Sequence, residues 1–370
     1  MISGIKYRLS TMVQRTSNVM RAMSWPDYSR LFLVGDNADW VLSWEQREIA
    51  TIAQKLGIRC ETPQRLAGIE RQSIFYASAG LLLSHKTFKR DCRIGAAMFH
   101  GRPGEGDTIF DERYKLLCQY HEKIVKLQVS NHAFREVVLE SGIAPDKVFL
   151  IPIGVNLSFF SFQSAESKKT MREVCGLPQS AAIIGSFQKD GNGWGEGLEP
   201  KLVKGPDIFL KSIEILKSKL PELFVLLSGP SRGYVKTGLE KLGVPYKHLY
   251  LDHYPEIGQL YQCLDAYIVA SRDEGGPKAI LESMACGIPL ISTKVGQAVD
   301  LIEHGCNGWL CDIEDAETLA YFTAESIIHR QNITEILKCG RKTAELNSYQ
   351  MQMDQWREFF SDFVSMSMEA

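Results

Sequence analysis

Apolar residues along the chain fall into short runs that alternate with stretches of helical spacing. Leu31-Phe-Leu-Val34 predicts a buried strand that ends in Gly35-Asp36-Asn37. Between Glu45 and Leu56 the apolar positions Ile49, Ile52, Ala53 and Leu56 recur at helical spacing, and Gly57 supplies a stop. The same reading predicts strands over 73–77, 94–99, 127–130 and 148–155, with helices over 81–88, 112–126 and 133–141. After Asn156 the chain turns polar, from Ser158 to Lys169, which sets a domain boundary there. The second half predicts strands over 181–187, 223–227, 248–251, 265–270, 288–292 and 307–310. Helices are expected over 206–219, 254–263, 298–303, 314–329 and 333–346, then a last one over 350–364 whose Trp356, Phe359, Phe360 and Phe363 form a packing stripe. Strand–helix alternation in both halves predicts an α/β chain of two doubly wound sheets. The expected divisions are an N-terminal extension over 1–27, a first domain over 28–156, a second over 157–345 and a terminal helix over 346–370.

Composition narrows the class. A content of 45% hydrophobic and 23% charged residues is that of a soluble globular protein, and the formal charge of -2 gives no basic excess for nucleic acid. Nine scattered cysteines without a CxxC pair fit a reducing cytoplasm better than a disulfide framework or a zinc site. No apolar run reaches the ~18–20 residues of a membrane span, and no apolar core of a secretory signal follows the early basic residues. Lys6, Arg8, Arg15 and Arg21 precede the first acid, Asp27. That segment, like the basic residues from His85 to Arg93, reads either as a solvated face or as a contact with an anionic membrane surface.

Candidate chemistry gathers in three loops. In Ala270-Ser-Arg-Asp-Glu-Gly-Gly-Pro-Lys-Ala-Ile-Leu-Glu-Ser-Met-Ala-Cys-Gly287, a strand runs through Gly275 and Gly276 into a helix with Pro277 near its first position. Unpaired N–H groups and the positive dipole end at such a junction favour phosphate. Glu274 precedes the junction and Glu282 is expected about five residues into the helix, roughly 7–8 Å along its axis. A diphosphate flanked by hydroxyl-rich rings suits this layout; a solvated i,i+4 pair between Lys278 and Glu282 is the bland reading. The second loop, Gln188 to Lys201, is glycine-rich and leads to Lys204-Gly205 before the next helix, so Lys189, Lys201 and Lys204 can meet an anion. The third, His100-Gly-Arg-Pro-Gly-Glu-Gly-Asp107, ends a central strand and carries His100, Arg102, Glu105 and Asp107. Asp36, Asn37 and Asp39 match no metal-ligand spacing, and no metal site is expected.

At this point the chain resembles the retaining GT-B glycosyltransferases of family 4, also called glycosyltransferase group 1. Glu274-Gly-Gly-Pro-Lys-Ala-Ile-Leu-Glu282 is similar to the E-x7-E signature, and Ile151-Pro-Ile-Gly-Val-Asn156 to the inter-domain "IPNGVD" segment. Lys204-Gly205 fits the "KG" of the nucleotide domain, while Val295-Gly-Gln-Ala-Val-Asp300 and Asn307-Gly308 resemble later turns. The resemblance implies two Rossmann-like domains facing a central cleft, with the C-terminal helix packing back toward the first domain. It implies a glycosyltransferase (EC 2.4 class) moving a sugar from a UDP- or GDP-linked donor to an acceptor hydroxyl with retention of configuration, without a metal. The acceptor would be a saccharide or lipid-linked, in cell-surface polysaccharide or glycolipid synthesis, with the protein expected in the cytoplasm and peripheral contact at the inner face of a membrane as an option.

His100 and Glu274 would be catalytic, the histidine facing the sugar and Glu274 its hydroxyls. Donor binding would fall to Gly35, Lys189, Lys204, Gly275, Gly276, Lys278, Ala279 and Glu282, the last on the ribose; Arg102, Glu105 and Asp107 would lie on the acceptor side. Three departures stand out. The family's "GR" appears as Gly185-Ser186, with Lys189 or Lys201 as replacement for the arginine. Pro277 stands where a glycine is usual, and an N-terminal glycine pair is reduced to Gly35-Asp36. A non-catalytic nucleotide-sugar-binding subunit is the alternative, and a glycosidase using Glu274 and Glu282 a third reading.

Overall fold

The computed structural model describes residues 27–35, 41–63, 65, 66, 68–85, 88, 91–98, 102–104 and 108–365. His100, Glu105, Asp107, Asp36 and the extension over 1–26 lie outside the described residues. The chain divides into two compact units. One comprises the described residues up to Val129, Phe134–Ile151 and those from Met353; the other comprises Ser130–Ala133 and Pro152–Gln352.

Among its described residues the first unit holds six parallel strands: β1 (Arg30–Val34), β2 (Arg59–Glu61), β3 (Ser73–Tyr76), β4 (Arg93–Met98), β5 (Lys126–Val129) and β6 (Val148–Leu150). Their order in the sheet is β2-β1-β3-β4-β5-β6. Its core gathers Phe32, Ile74, Ile94, Leu127 and Phe134. Pairing starts at Lys126, so the expected helix over 112–126 ends early: Thr108–Tyr120 is α-helical, a 3-10 turn takes His121–Lys123, and Lys126 opens a strand. The expected strand over 148–155 likewise stops at Leu150, because Pro152 lacks the N–H that a ladder needs.

Lys126 has a structural task there. Its ammonium donates to the carbonyls of Glu358 (3.1 Å) and Ser361 (2.6 Å), at the end of the helix Met353–Phe360. A cation at a helix C-terminus satisfies unpaired carbonyls and suits the dipole. The aromatic stripe of that helix is a packing face, as its spacing predicts: Phe359 meets Phe75 at 5.5 Å and Phe149 at 5.2 Å, edge to face. The terminal helix therefore belongs to the first unit's core.

The second unit also has six parallel strands, β7 (Ala182–Ser186), β8 (Leu223–Ser228), β9 (Tyr246–Leu249), β10 (Ala266–Val269), β11 (Leu290–Thr293) and β12 (Trp309–Cys311). They lie in the order β12-β11-β10-β7-β8-β9. Neighbouring residues along a strand point to opposite faces. Ile183, Leu226, Val269 and Leu290 accordingly enter one core layer, and Ile184, Leu227, Ile268 and Ile291 the other. Beside β7 sits β10, where the strand order reverses, and loops beyond such a switch point are where ligands bind in open α/β sheets.

Two helices escape the hydrophobic pattern. Ala165–Val174 begins inside the polar stretch that runs from Ser158 to Lys169. It starts with a capping box between Ser164 and Ser167, and its buried Arg172 donates to the Cys263 carbonyl and pairs with Asp265. Gly233–Leu242 is the other, opening inside a loop that reads as turn chemistry alone. The expected strand over 248–251 is shifted to β9, and the expected helix over 254–263 splits into a 3-10 turn, Tyr254–Glu256, and the short helix Ile257–Tyr261.

Gly95 on β4 tests how tightly the terminal helix is seated. A Cβ there would lie 2.9 Å from the ring of buried Phe363 and 3.3 Å from the Lys126 carbonyl. Gly95→Ala should destabilise the protein by about 1–3 kcal/mol through overpacking, read as a lower urea midpoint; an unchanged midpoint would show that the helix is loosely held.

Candidate functional site

The loops after β7 and β10 meet at the switch point through glycine. Gly205 adopts a left-handed conformation (φ 61°), and a Cβ on it would lie 1.8 Å from the carbonyl oxygen of Ala270. No other residue type fits that approach. On β7, Gly185 packs just as closely, since a Cβ would fall 2.4 Å from Leu264.

Arg272 fixes the two loops together. Its backbone N–H donates to Val203 O (2.8 Å), and its guanidinium donates to Leu202 O (2.7 Å). Both Nη atoms reach Asp207 in the first turn of the helix Pro206–Lys219, each at 2.8 Å, and Nε reaches Glu314 at 2.6 Å. That bidentate bond holds the Asp207 carboxyl below its ordinary value of 3.8.

This joint brings Lys204 to Glu274: Nζ and Oε1 are 2.5 Å apart. Glu274 is only 8% exposed and also accepts from Ser271 Oγ at 3.1 Å. The peptide after it is clamped from several sides. Gly275 O accepts from Ser130 Oγ, Asn131 Nδ2 and the Gln297 N–H, and Gly296 (φ 48°) packs against the carbonyls of Glu274 and Gly275. Gln297, fully buried, accepts from the Ile153 N–H at 3.0 Å. Thus 152–156, 274–282 and 295–300, far apart in sequence, support one loop.

The helix itself starts at Ala279 with Lys278 as its cap, two residues later than Pro277 suggests. Glu282 therefore sits in the first turn. The bland reading of a solvated Lys278–Glu282 pair is overturned, because the two are only 9% and 3% exposed. Lys278 Nζ donates to the Tyr349 hydroxyl at 2.7 Å and lies 5.9 Å from the centre of the Tyr254 ring. Glu282 accepts from two phenols, Tyr254 on Oε1 and Tyr261 on Oε2 (2.9 Å). Burial and the neighbouring Glu282 carboxylate hold the Tyr261 hydroxyl protonated, well above its ordinary range.

The remaining sequence-derived residues have contacts of their own. Lys189 lies 3.8 Å from the centre of the Trp194 ring, and burial lowers its pKa. Lys201 uses its N–H on the Asp190 carbonyl (2.8 Å), inside the glycine-rich loop. Arg102 sits 5.9 Å from the ring centre of Phe134 in the first unit, where Gly35 follows β1 against the Gln46 side chain. Asn307 is structural, bonded to Leu301 O and Thr343 Oγ1.

Sequence reasoning missed Arg232. This buried guanidinium donates to Ser186 O and Oγ and to Ser228 O, and pairs with both oxygens of Asp190. Four of those contacts are hydrogen bonds, and the one from Nη2 to Asp190 Oδ2, at 2.9 Å, is an ion pair. Arg232 thus staples the glycine-rich loop to β7 and β8. Desolvation raises the Asp190 pKa against the opposing pull of Arg232.

Residues 198–332 match the family model for glycosyl transferases group 1. The match lies within the second unit. A D-inositol 3-phosphate glycosyltransferase of Thermobispora bispora is 28% identical over 205 residues, covering 52% of this chain and 45% of that protein. The N-acetyl-alpha-D-glucosaminyl L-malate synthase of Bacillus anthracis is 27% identical over 120 residues, 32% of each chain. The chain thus matches about half or less of the length of these curated relatives. Among solved structures, Anabaena Alr3699/HepE in complex with UDP-glucose superposes with a TM-score of 0.73 at 17% identity, over 90% of this chain and 99% of that one. Sucrose-phosphate synthase of Thermosynechococcus elongatus gives 0.70 at 15% identity, over 90% and 98%. The fold is GT-B, built from two Rossmann-like units.

The Arg272 joint gives a pH signature. A carboxyl held below its free value adds stability above that value and loses it as pH falls through the lowered one. Asp207→Asn should therefore be less stable than the parent near neutrality, with a gap that narrows once pH drops below 3.8. Urea unfolding at about pH 6, 5 and 3 checks this; a gap that is constant across the series would show that Asp207 acts through packing alone.

Proposed function

We propose that this protein is a glycosyltransferase that moves a sugar from a nucleotide-sugar donor to an acceptor hydroxyl, with retention of configuration. The observation that carries the reading is the Lys204–Glu274 pair at the switch point, beside the start of the helix Ala279–Cys286. A cation next to helix N–H groups suits a diphosphate, and a neighbouring carboxylate suits the hydroxyls of the attached sugar. The relation of the second unit to group 1 glycosyl transferases supports the same assignment.

In this mechanism the diphosphate takes Lys204 from Glu274, which is freed to accept hydrogen bonds from the sugar. Glu282 receives the ribose hydroxyls, and Gly275, Gly276, Lys278 and Ala279 line the diphosphate. The bond between the anomeric carbon and the diphosphate breaks, and the acceptor oxygen bonds to that carbon on the same face. The acceptor proton passes to the departing phosphate oxygen. Charge builds on the diphosphate as this bond breaks, and fixed donors stabilise it without reorganising. His100, with Arg102, Glu105 and Asp107 on the same loop, serves the sugar and acceptor side, and Lys189 takes over from the family's arginine. The donor is UDP- or GDP-linked, and the acceptor is a saccharide or a lipid-linked saccharide met at a membrane surface. Among the described residues, no helix is long and apolar enough to cross a membrane.

A thermal-shift series of UDP-, GDP- and ADP-sugars identifies the donor, because a ligand that binds the folded state raises its apparent stability. Glu274→Ala should keep nucleotide affinity and lower turnover by ~100-fold or more. The reading falls if none of the nucleotide sugars shifts the melting temperature. Binding without transfer to saccharide or lipid-linked acceptors would leave a nucleotide-sugar-binding subunit.

A further inference from the structure

The two phenols on Glu282 are not equivalent. Tyr261 is completely buried, and its ring is held edge-on by Phe160 (6.0 Å) and Phe187 (5.1 Å) and lies 5.4 Å from Tyr267. It has nowhere to go without opening the core. Tyr254 is only partly buried and stands on a one-turn 3-10 segment, Tyr254–Glu256, that follows the loop after β9. Its hydroxyl bonds Oε1 of Glu282 while its ring borders Lys278. One partly buried side chain thus bonds Glu282 and borders Lys278, two of the residues assigned to the donor.

A carboxylate that is 3% exposed must be well supplied with hydrogen bonds, since a buried charge left short of partners is costly. It is also closed to a ligand unless one neighbour yields. Of the two phenols on Glu282, only Tyr254 can yield. We propose that Tyr254 is a placeholder: in the free protein its hydroxyl occupies the Glu282 oxygen that a nucleoside's vicinal diol takes on binding, and it swings away as the diol arrives. The buried carboxylate is then hydrogen-bonded before, during and after the exchange. The cost is a competition within the protein that weakens nucleotide affinity. This inference rests on the donor-binding reading of Glu282 above. It makes Tyr254 a positioning residue, acting on substrate through Glu282.

The test is Tyr254→Phe, which keeps the ring beside Lys278 and removes the hydroxyl. The free variant should melt at a lower temperature, because Glu282 has lost a partner. By calorimetry it should bind the nucleoside diphosphate preferred by the parent, UDP or GDP, about tenfold more tightly, the scale of one hydrogen bond no longer in competition. The gain should disappear with the corresponding 2′,3′-dideoxynucleoside diphosphate, which has no diol to offer. A merely structural tyrosine would lower stability and affinity together. Unchanged or weaker binding in a parent that does bind nucleotide overturns the placeholder alone, as does an equal gain with the dideoxy ligand. A parent that binds neither UDP nor GDP overturns the donor reading and the placeholder with it.

Discussion

The second unit depends on the close approach of two backbones at Gly205 and Ala270. There the loop that closes β7 touches the loop that closes β10, and a Cβ on Gly205 would push them apart. Contact between these loops lets Arg272 bond Val203 and Leu202, and the same contact sets Lys204 on Glu274. A parallel sheet whose strand order reverses at β7 and β10 leaves a crevice beyond those strands. Glycine turns the crevice into a charged site by letting the side chains, rather than the backbones, be the bulkiest things in it.

Much of this is legible in the chain itself. Strand and helix alternation reports burial on both faces of a parallel sheet, and among the described residues all twelve strands but β2 coincide at least in part with an apolar run read from the chain. Lys204-Gly205, Glu274, Gly275, Gly276 and Glu282 were singled out because glycine before a helix is a local property with a local cause. What the sequence could not carry is partnership. Nothing near Arg232 in the chain announces that its guanidinium will be spent on Asp190, Ser186 and Ser228. The i,i+4 spacing of Lys278 and Glu282 suggested a surface pair, but each turned out to be bonded to tyrosines distant in sequence, Tyr349, Tyr254 and Tyr261.

The missed helix Ala165–Val174 shows the same limit from another side. Hydrophobic spacing finds helices that bury carbon, and this one is anchored through Arg172 and Lys168 on Asp265. Its start signal was present as Ser164 and Ser167, a capping pair that is easy to overlook because serine usually marks loops. Lys126 was misread for a related reason. A lysine at the edge of a helical pattern looks like a solvated helix end, whereas here it caps another helix more than two hundred residues later in the chain. Polar residues with long-range partners are where pattern reading fails.

Both halves of the site follow one electrostatic rule. Glu274 and Glu282 are buried carboxylates, and neither is left bare: Lys204 and Ser271 serve the first, two phenols the second. Isolated charges in such surroundings would be strongly penalised. A ligand of the proposed kind brings a diphosphate for the lysine and hydroxyls for the carboxylates, so it can replace each internal partner with one of its own. Binding by such exchange demands little reorganisation of charge, because the site already holds the pattern the ligand must match. The penalty is affinity, since every internal partner competes with the ligand. Under the proposed function, release of the nucleotide after each transfer gains from that competition, for the contacts that weaken the substrate's hold also help to displace the product.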